Sequence, residues 1–264
     1  MRYFETPQTT LKDDRSVVTV ADNSIEELFA EVCDRPQDNS YLIGEETIGK
    51  YPASYINQAL KSDCCWVLDP IDGTAPYSAH MELWGVSLGL MKQGKLIEGA
   101  VYLPRLDIML STDGNDIWSC SLQKRSNWQK FEASGNILDI DGHISLGQYV
   151  TRKWGFSGKN TLFSLCSCVG SLFWLVTGRV TAYCGDFKLW DIAGMLPILE
   201  RAGFAVLTTD GKNRQLSGNL ADNMFDLADG KVPWKVKTPV IAAANKTIAL
   251  ALLEKFYIQE ENKA

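Results

Sequence analysis

Three short segments concentrate the residues able to do chemistry: Gly44-Glu45-Glu46, Asp69-Pro70-Ile71-Asp72-Gly73-Thr74 and Trp190-Asp191-Ile192-Ala193-Gly194. Each alone has a structural reading, with Glu45 and Glu46 as a solvated pair, Asp72-Gly73 as a turn and Asp191 as a helix cap. Together they suit one reaction. Hydrolysing a phosphomonoester drives water into a dianion, and two divalent ions about 3.5–4 Å apart neutralise the phosphate oxygens and lower the pKa of that water. Magnesium takes oxygen ligands and keeps several waters, so its site needs a few carboxylates converging from separate segments. Asp69 and Asp72 leave one strand end three residues apart, with rigid Pro70 and permissive Gly73 fixing the turn. Gly73 and Thr74 open a short helix whose backbone N–H groups form an anion site, and the Thr74 hydroxyl is available to orient water once a partner takes its proton.

Competing phosphatase chemistries lack their residues. A haloacid-dehalogenase-type site needs D-x-D-G-T, whereas two residues separate Asp69 from Asp72. A cysteine phosphatase needs C-x5-R, which none of the seven cysteines satisfies. His80 and His143 stand in unrelated contexts and read as surface or structural residues, which removes a phosphohistidine route and a histidine-rich metal site.

The elements that must hold these residues are legible in outline. Ser24 reads as a helix cap with Glu27 three residues on, and Ile25, Leu28, Phe29 and Val32 repeat with helical spacing. Tyr41 to Ile43 and Cys65 to Leu68 are β-prone runs that lead straight into acidic clusters. From Trp84 to Thr112 the alternation predicts an antiparallel meander, and the polar stretch Asp113 to Gly142 carries only a strand or two. Then come a strand at Ile144–Val150, an apolar helix from Thr161 to Thr177 and a strand at Val180–Tyr183. Asp191 reads as the cap of a helix to Arg201, kinked at Pro197 and stopped by Gly203. Strand Phe204–Leu207, strand Val240–Ala243 and a helix capped by Asn245, with Ile248, Leu252 and Phe256 on one face, complete the chain. This divides it into residues 1–138, an α+β half with an antiparallel sheet that carries Glu45, Asp69 and Asp72, and residues 139–264, an α/β half that carries Asp191.

Composition sets the boundaries. With 264 residues, 45% hydrophobic and 22% charged, the chain can bury a sizeable core, and a net charge of −6 argues against binding nucleic acid, whose affinity comes from Lys and Arg. The N-terminus lacks an apolar leader and no apolar run is long enough to span a bilayer, so a cytoplasmic protein with reduced cysteines and no membrane partner is expected.

The three acidic segments, in this order and spacing, with Val18-Thr19-Val20-Ala21-Asp22 as a further element, resemble the inositol monophosphatase family. The resemblance runs from about Val17 to the C-terminus. It implies a layered α/β/α/β/α sandwich and a lithium-sensitive phosphatase using two or three magnesium ions, usually as a homodimer. It implies Glu45, Asp69, the Ile71 carbonyl, Asp72 and Asp191 as metal ligands. Asp22 would hold the Thr74 hydroxyl, this pair and Glu45 would activate water, and Gly73 and Thr74 would donate N–H groups to the phosphate.

Departures concern the edges and the substrate. Only 16 residues precede Val17, so the family's long N-terminal helix is expected to be missing or truncated. Pro76 replaces a common Asn, a change the first turn of a helix accepts. The Glu that commonly holds a substrate hydroxyl or amine, about seven residues before the last Asp, is absent from Cys184-Gly185-Asp186, and the usual Gly-Ser-Ala helix start corresponds to Cys166-Ser167-Cys168. Asp72, Ser167 and Asp186 are the candidate substrate contacts. The expected substrate is a small polyol or sugar phosphate such as myo-inositol monophosphate, with fructose 1,6-bisphosphate, histidinol phosphate and 3′-phosphoadenosine 5′-phosphate as alternatives. A regulatory binding protein on the same fold is the reading of another class.

Overall fold

The computed structural model describes residues 3–12, 16–134, 140–227, 230 and 232–259. The boundary expected at residues 138 and 139 touches residues outside that set. Seven strands form the larger sheet in chain order: Ser40–Gly44, Cys64–Asp72, Gly85–Lys92, Lys95–Leu103, Ile108–Asp113, Asp116–Cys120 and Gln129–Lys130. The first two are parallel, and every later neighbour is antiparallel, which is the meander read from the sequence. A second, mixed sheet of five strands runs in the spatial order Leu162–Phe163, Ile144–Leu146, Ala182–Gly185, Val240–Ala243, Ala205–Thr208.

Helices Val20–Cys33 and Ala53–Lys61 pack on the parallel end of the large sheet. Helices Leu189–Ala193 and Leu196–Arg201 pack on its central strands, and Lys246–Leu253 covers the second sheet along Ala205–Thr208 and Val240–Ala243. Sheets and helices thus alternate as the expected sandwich. Its main core contains Ile43, Val67, Leu103, Leu172, Ile192 and Leu196, all fully or almost fully buried. Burying such side chains supplies most of the favourable folding free energy, at about 1.5–3 kcal/mol each.

Several expected elements shift, each for a physical reason. The first helix starts at Val20, because Thr19 rather than Ser24 is its cap: the Thr19 side chain accepts from Ala21 N–H, and Asp22 accepts from Thr19 N–H. The residues it buries are Ala21, Asp22, Glu26 and Cys33, while of the apolar stripe Ile25 and Phe29 are half-buried and Leu28 and Val32 stay exposed. The apolar stretch after Thr161 is helical only over Cys168–Val176. Its first part, Leu162–Phe163, is an edge strand, and Ser167 caps the helix by accepting from Gly170 N–H at 2.9 Å. The expected helix from Asp191 to Arg201 is two short helices broken at Gly194 and Met195, and Pro197 lies in the first turn of the second, where its missing N–H costs nothing. Asp191 lies inside the first helix, with Lys188 as its cap. Phe256 lies past the last helix, in a strand Phe256–Ile258 that pairs with Trp154–Phe156.

The N-terminal segment forms a ribbon, Thr9–Leu11 against Val17–Thr19, and Phe4 packs on Tyr77 and Trp84. Among the described residues no helix is long and apolar enough to cross a membrane.

Candidate active site

In a regular strand, residues three apart point to opposite faces. Between Asp69 and Asp72 the pairing with Gly85–Lys92 shifts register, at the point where Pro70 has no N–H to give the ladder. The irregular turn lets both carboxylates act on one site. Asp69 Oδ1 accepts from Ile71 N–H at 3.0 Å, and Gly73, at φ 89°, turns the chain into helix Thr74–Ser78.

Asp72 reaches across to the second half of the chain. It accepts from the Ser167 hydroxyl, from Cys168 N–H at 3.0 Å and from Val169 N–H at 2.8 Å, so its carboxylate sits on the start of helix Cys168–Val176. The predicted substrate contacts Asp72 and Ser167 are therefore bonded to each other.

Glu45 follows strand Ser40–Gly44, with its N–H on the Leu68 carbonyl at 3.2 Å, beside the end of the Asp69 strand. Asp191 arrives on helix Leu189–Ala193. Ser87, buried in the neighbouring strand, donates to the Trp190 carbonyl at 2.7 Å and accepts from Gly194 N–H at 3.0 Å, which pins both ends of the motif. A side chain at Gly194 would overlap the Ala100 carbonyl, so only glycine permits this approach. Carboxylate oxygens of Glu45, Asp69 and Asp191 lie within 4.8 Å of one another.

Burial first, then the charges of Glu45, Asp72 and Asp191, push the Asp69 carboxyl well above the usual range. Burial, then Glu45 and Asp72, do the same to Asp191. Burial raises Asp72 to about 6 even though Ser167 and two backbone N–H groups favour its charged form. Such a set of oxygens, close and mutually repelling, with Asp69 buried and Glu45 and Asp191 half-buried, fits hard divalent cations.

The Thr74 hydroxyl has two acceptors, the Ile71 carbonyl at 3.0 Å and Asp22 Oδ1 at 3.4 Å. The expected Thr74–Asp22 pair is thus present, but the Ile71 carbonyl competes for its proton. Asp22 also accepts from Thr19 N–H at 2.7 Å and the Thr19 hydroxyl at 2.5 Å.

Two participants escaped the sequence reading. Glu26, fully buried one helical turn after Asp22, accepts from Glu46 N–H at 2.9 Å and from the Thr47 hydroxyl, holding the loop that carries Glu45. Its i, i+4 spacing from Asp22 is the signal that could have found it. Lys12 places its ammonium 3.0 Å from Glu45 and 2.6 Å from Glu46. Burial disfavours the Lys12 charge, yet Glu45 and Glu46 outweigh it and hold the ammonium protonated. No spacing rule links it to the acidic motifs.

Over these residues lies a cleft of about 550 Å³. Glu45, Asp72 and Asp191 line it together with Ser167, Tyr183, Tyr149 and Asp186. Asp186 is at the cleft as expected, but its carboxylate is paired with the Lys235 ammonium. Cys184, at the position of the expected hydroxyl-binding Glu, is fully buried.

The inositol monophosphatase family model matches residues 2–259. A protein of Pasteurella multocida named Nus factor SuhB is 28% identical over 223 residues, covering 81% of this chain and 80% of its own. An inositol-1-monophosphatase of Mesorhizobium japonicum is 24% identical over 218 residues, covering 77% and 76%. A solved IMPase/NADP phosphatase in complex with NADP and calcium superimposes with a TM-score of 0.71 at 17% identity, over all of this chain and 90% of that one. A staphylococcal inositol monophosphatase-1 soaked in lithium chloride gives 0.69 at 17% identity, over 100% and 89%. At that identity the solved structures speak for the fold, and the family match supports a phosphatase. With its acidic motifs gathered at one cleft and the family pattern running through almost its full length, the chain belongs to the inositol monophosphatase family.

Proposed function

We propose that the chain is a magnesium-dependent phosphomonoesterase that releases phosphate from a small polyol or sugar phosphate through direct attack of water. The observation that carries this reading is the approach of Glu45, Asp69 and Asp191 to within 4.8 Å from three separate elements. Glu45, Asp69, the Ile71 carbonyl, Asp72 and Asp191 would hold two or three magnesium ions, which supply Lewis acidity toward the phosphate and acidify water. Gly73 and Thr74 would give backbone N–H groups to the phosphate. Thr74 would orient the attacking water, with Asp22 taking the hydroxyl proton and Glu45 accepting from the water. A cation on the Ile71 carbonyl would leave Asp22 as the acceptor for Thr74, which orders the pair for that task. The reading extends to lithium inhibition, a homodimer and a cytoplasmic location.

Replacing Asp69 by Asn removes a ligand oxygen's charge with little change of shape. Asp69→Asn is expected to lower magnesium-dependent phosphate release by on the order of 10²–10³-fold, with the circular dichroism spectrum and a cooperative unfolding transition retained. Release at the wild-type rate by the folded variant would defeat the enzymatic reading. It would leave the second one, a regulatory binding protein, which the relatives named Nus factor SuhB favour. A panel of inositol monophosphate, fructose 1,6-bisphosphate, histidinol phosphate and 3′-phosphoadenosine 5′-phosphate with magnesium ranks the substrates.

A further inference from the structure

Besides the carboxylates, the lining of the cleft includes basic residues. Helix Gln148–Lys153 leaves the Ile144–Leu146 strand of the second sheet and contributes Gln148, Tyr149 and Arg152 to the lining. These three positions share one helical face, Arg152 standing three and four residues beyond the other two. Lys235 completes the group, with its Nζ 5.6 Å from the centre of the Tyr149 ring and paired with Asp186. Among the described residues no carboxylate pairs with Arg152.

A substrate with one phosphate and otherwise only hydroxyl groups can hydrogen-bond this wall but leaves the Arg152 guanidinium without an anionic partner. A hydroxyl group donates as well as accepts, so a carboxylate at the wall would hold it most firmly. Here the Asp186 carboxylate is engaged by Lys235, and the thiol of Cys184 is out of reach. A guanidinium and an ammonium beside an aromatic face suit an anion instead. An ammonium has three donors, so Lys235 can keep Asp186 and still donate to a ligand. Asp186 is then a positioning residue for Lys235.

We propose that the cleft binds a substrate carrying a second anionic group, phosphate or carboxylate, which Arg152 and Lys235 hold while the scissile phosphate lies at Glu45, Asp69 and Asp191. This rests on the phosphatase reading and narrows its substrate class. Arg152 and Lys235 act in binding, and the second anion is neither attacked nor transferred.

Two matched pairs of probes isolate the effect: glucose 1,6-bisphosphate against glucose 1-phosphate, and 2-phosphoglycerate against glycerol 2-phosphate. Wild-type enzyme with magnesium is expected to favour the doubly anionic member of at least one pair about tenfold in kcat/KM, through KM; which pair responds tells phosphate from carboxylate. Arg152→Gln should shrink that preference about tenfold, again in KM with kcat little altered, and Arg152→Lys should restore part of it. Equal preference in wild type and Arg152→Gln, or no preference in either pair, would overturn the proposal. Calorimetric binding of the same four probes, with calcium replacing magnesium, reads the subsite without turnover. Should the enzyme hydrolyse none of them, tighter binding of a doubly anionic probe that is lost in Arg152→Gln would uphold the subsite while the phosphatase reading fails, and equal binding would sink the subsite too.

Discussion

Asp69 and Asp72 were legible as site residues because their side chains, Pro70 and Gly73 come in one unbroken run, and the chemistry needs that run. Glu26 was not, since a single Glu on an amphipathic helix ordinarily faces water. Here it is buried because the loop after Gly44 has an N–H and a hydroxyl that need an acceptor. Burial raises its pKa against those two bonds. Glu26→Gln keeps the size of the side chain but loses an acceptor, so the Glu45 loop loses one of its two hydrogen bonds to residue 26. The expected result is a 10- to 100-fold loss of kcat with a higher magnesium requirement and a retained fold, about the cost of disturbing a partner that orients a ligand. Activity of Glu26→Gln titrated with magnesium checks this, and a variant matching wild type at every concentration would mean that Glu26 only fills space.

Strands were easier to read than helices at the element scale. The alternation in Gly85–Lys92 and Lys95–Leu103 survived because each strand has a buried and a half-buried face. The first helix defeated the hydrophobic pattern: its inner face carries Asp22 and Glu26 for the site, and the Thr19–Asp22 capping pair was a better guide than Leu28 and Val32. The continuous apolar run after Thr161 gave no period to separate edge strand from helix. In Trp190–Gly194 the glycine, read from sequence only as part of a motif, turns out to set how near Asp191 comes to the sheet. Gly194→Ala should force the helix off strand Lys95–Leu103 and destabilise the protein by about 1–3 kcal/mol, measured by urea unfolding. It should also reduce magnesium affinity by moving Asp191. An unfolding midpoint equal to wild type would show that the backbone yields at no cost.

Across the whole molecule, the order of elements predicted an antiparallel sheet followed by α/β units and the family resemblance implied the layered sandwich, whereas the hydrogen bond of Asp72 with Ser167 was not legible, because it joins residues far apart in the chain. The same convergence has a thermodynamic consequence. A carboxyl whose pKa is higher in the folded chain binds more protons there than in the unfolded chain, so stability is greatest in acid and falls as pH rises. For Asp72 the fall spans 3.8 to about 6, and for Glu46, raised by burial and then by Glu45, it spans 4.5 to about 7. Asp69 and Asp191 add in the same direction. A divalent cation bound to the folded chain alone offsets the loss by about 2.7 kcal/mol at a hundred times its Kd. The most direct measurement is therefore thermal unfolding of chelator-treated protein at pH 5 and pH 8, without and with magnesium. The account predicts a lower Tm at pH 8 than at pH 5 in the chelated protein, and a Tm at pH 8 that climbs with magnesium in the wild type and much less in Asp69→Asn. A chelated protein equally stable at both pH values, with a Tm that magnesium leaves unmoved, would contradict it.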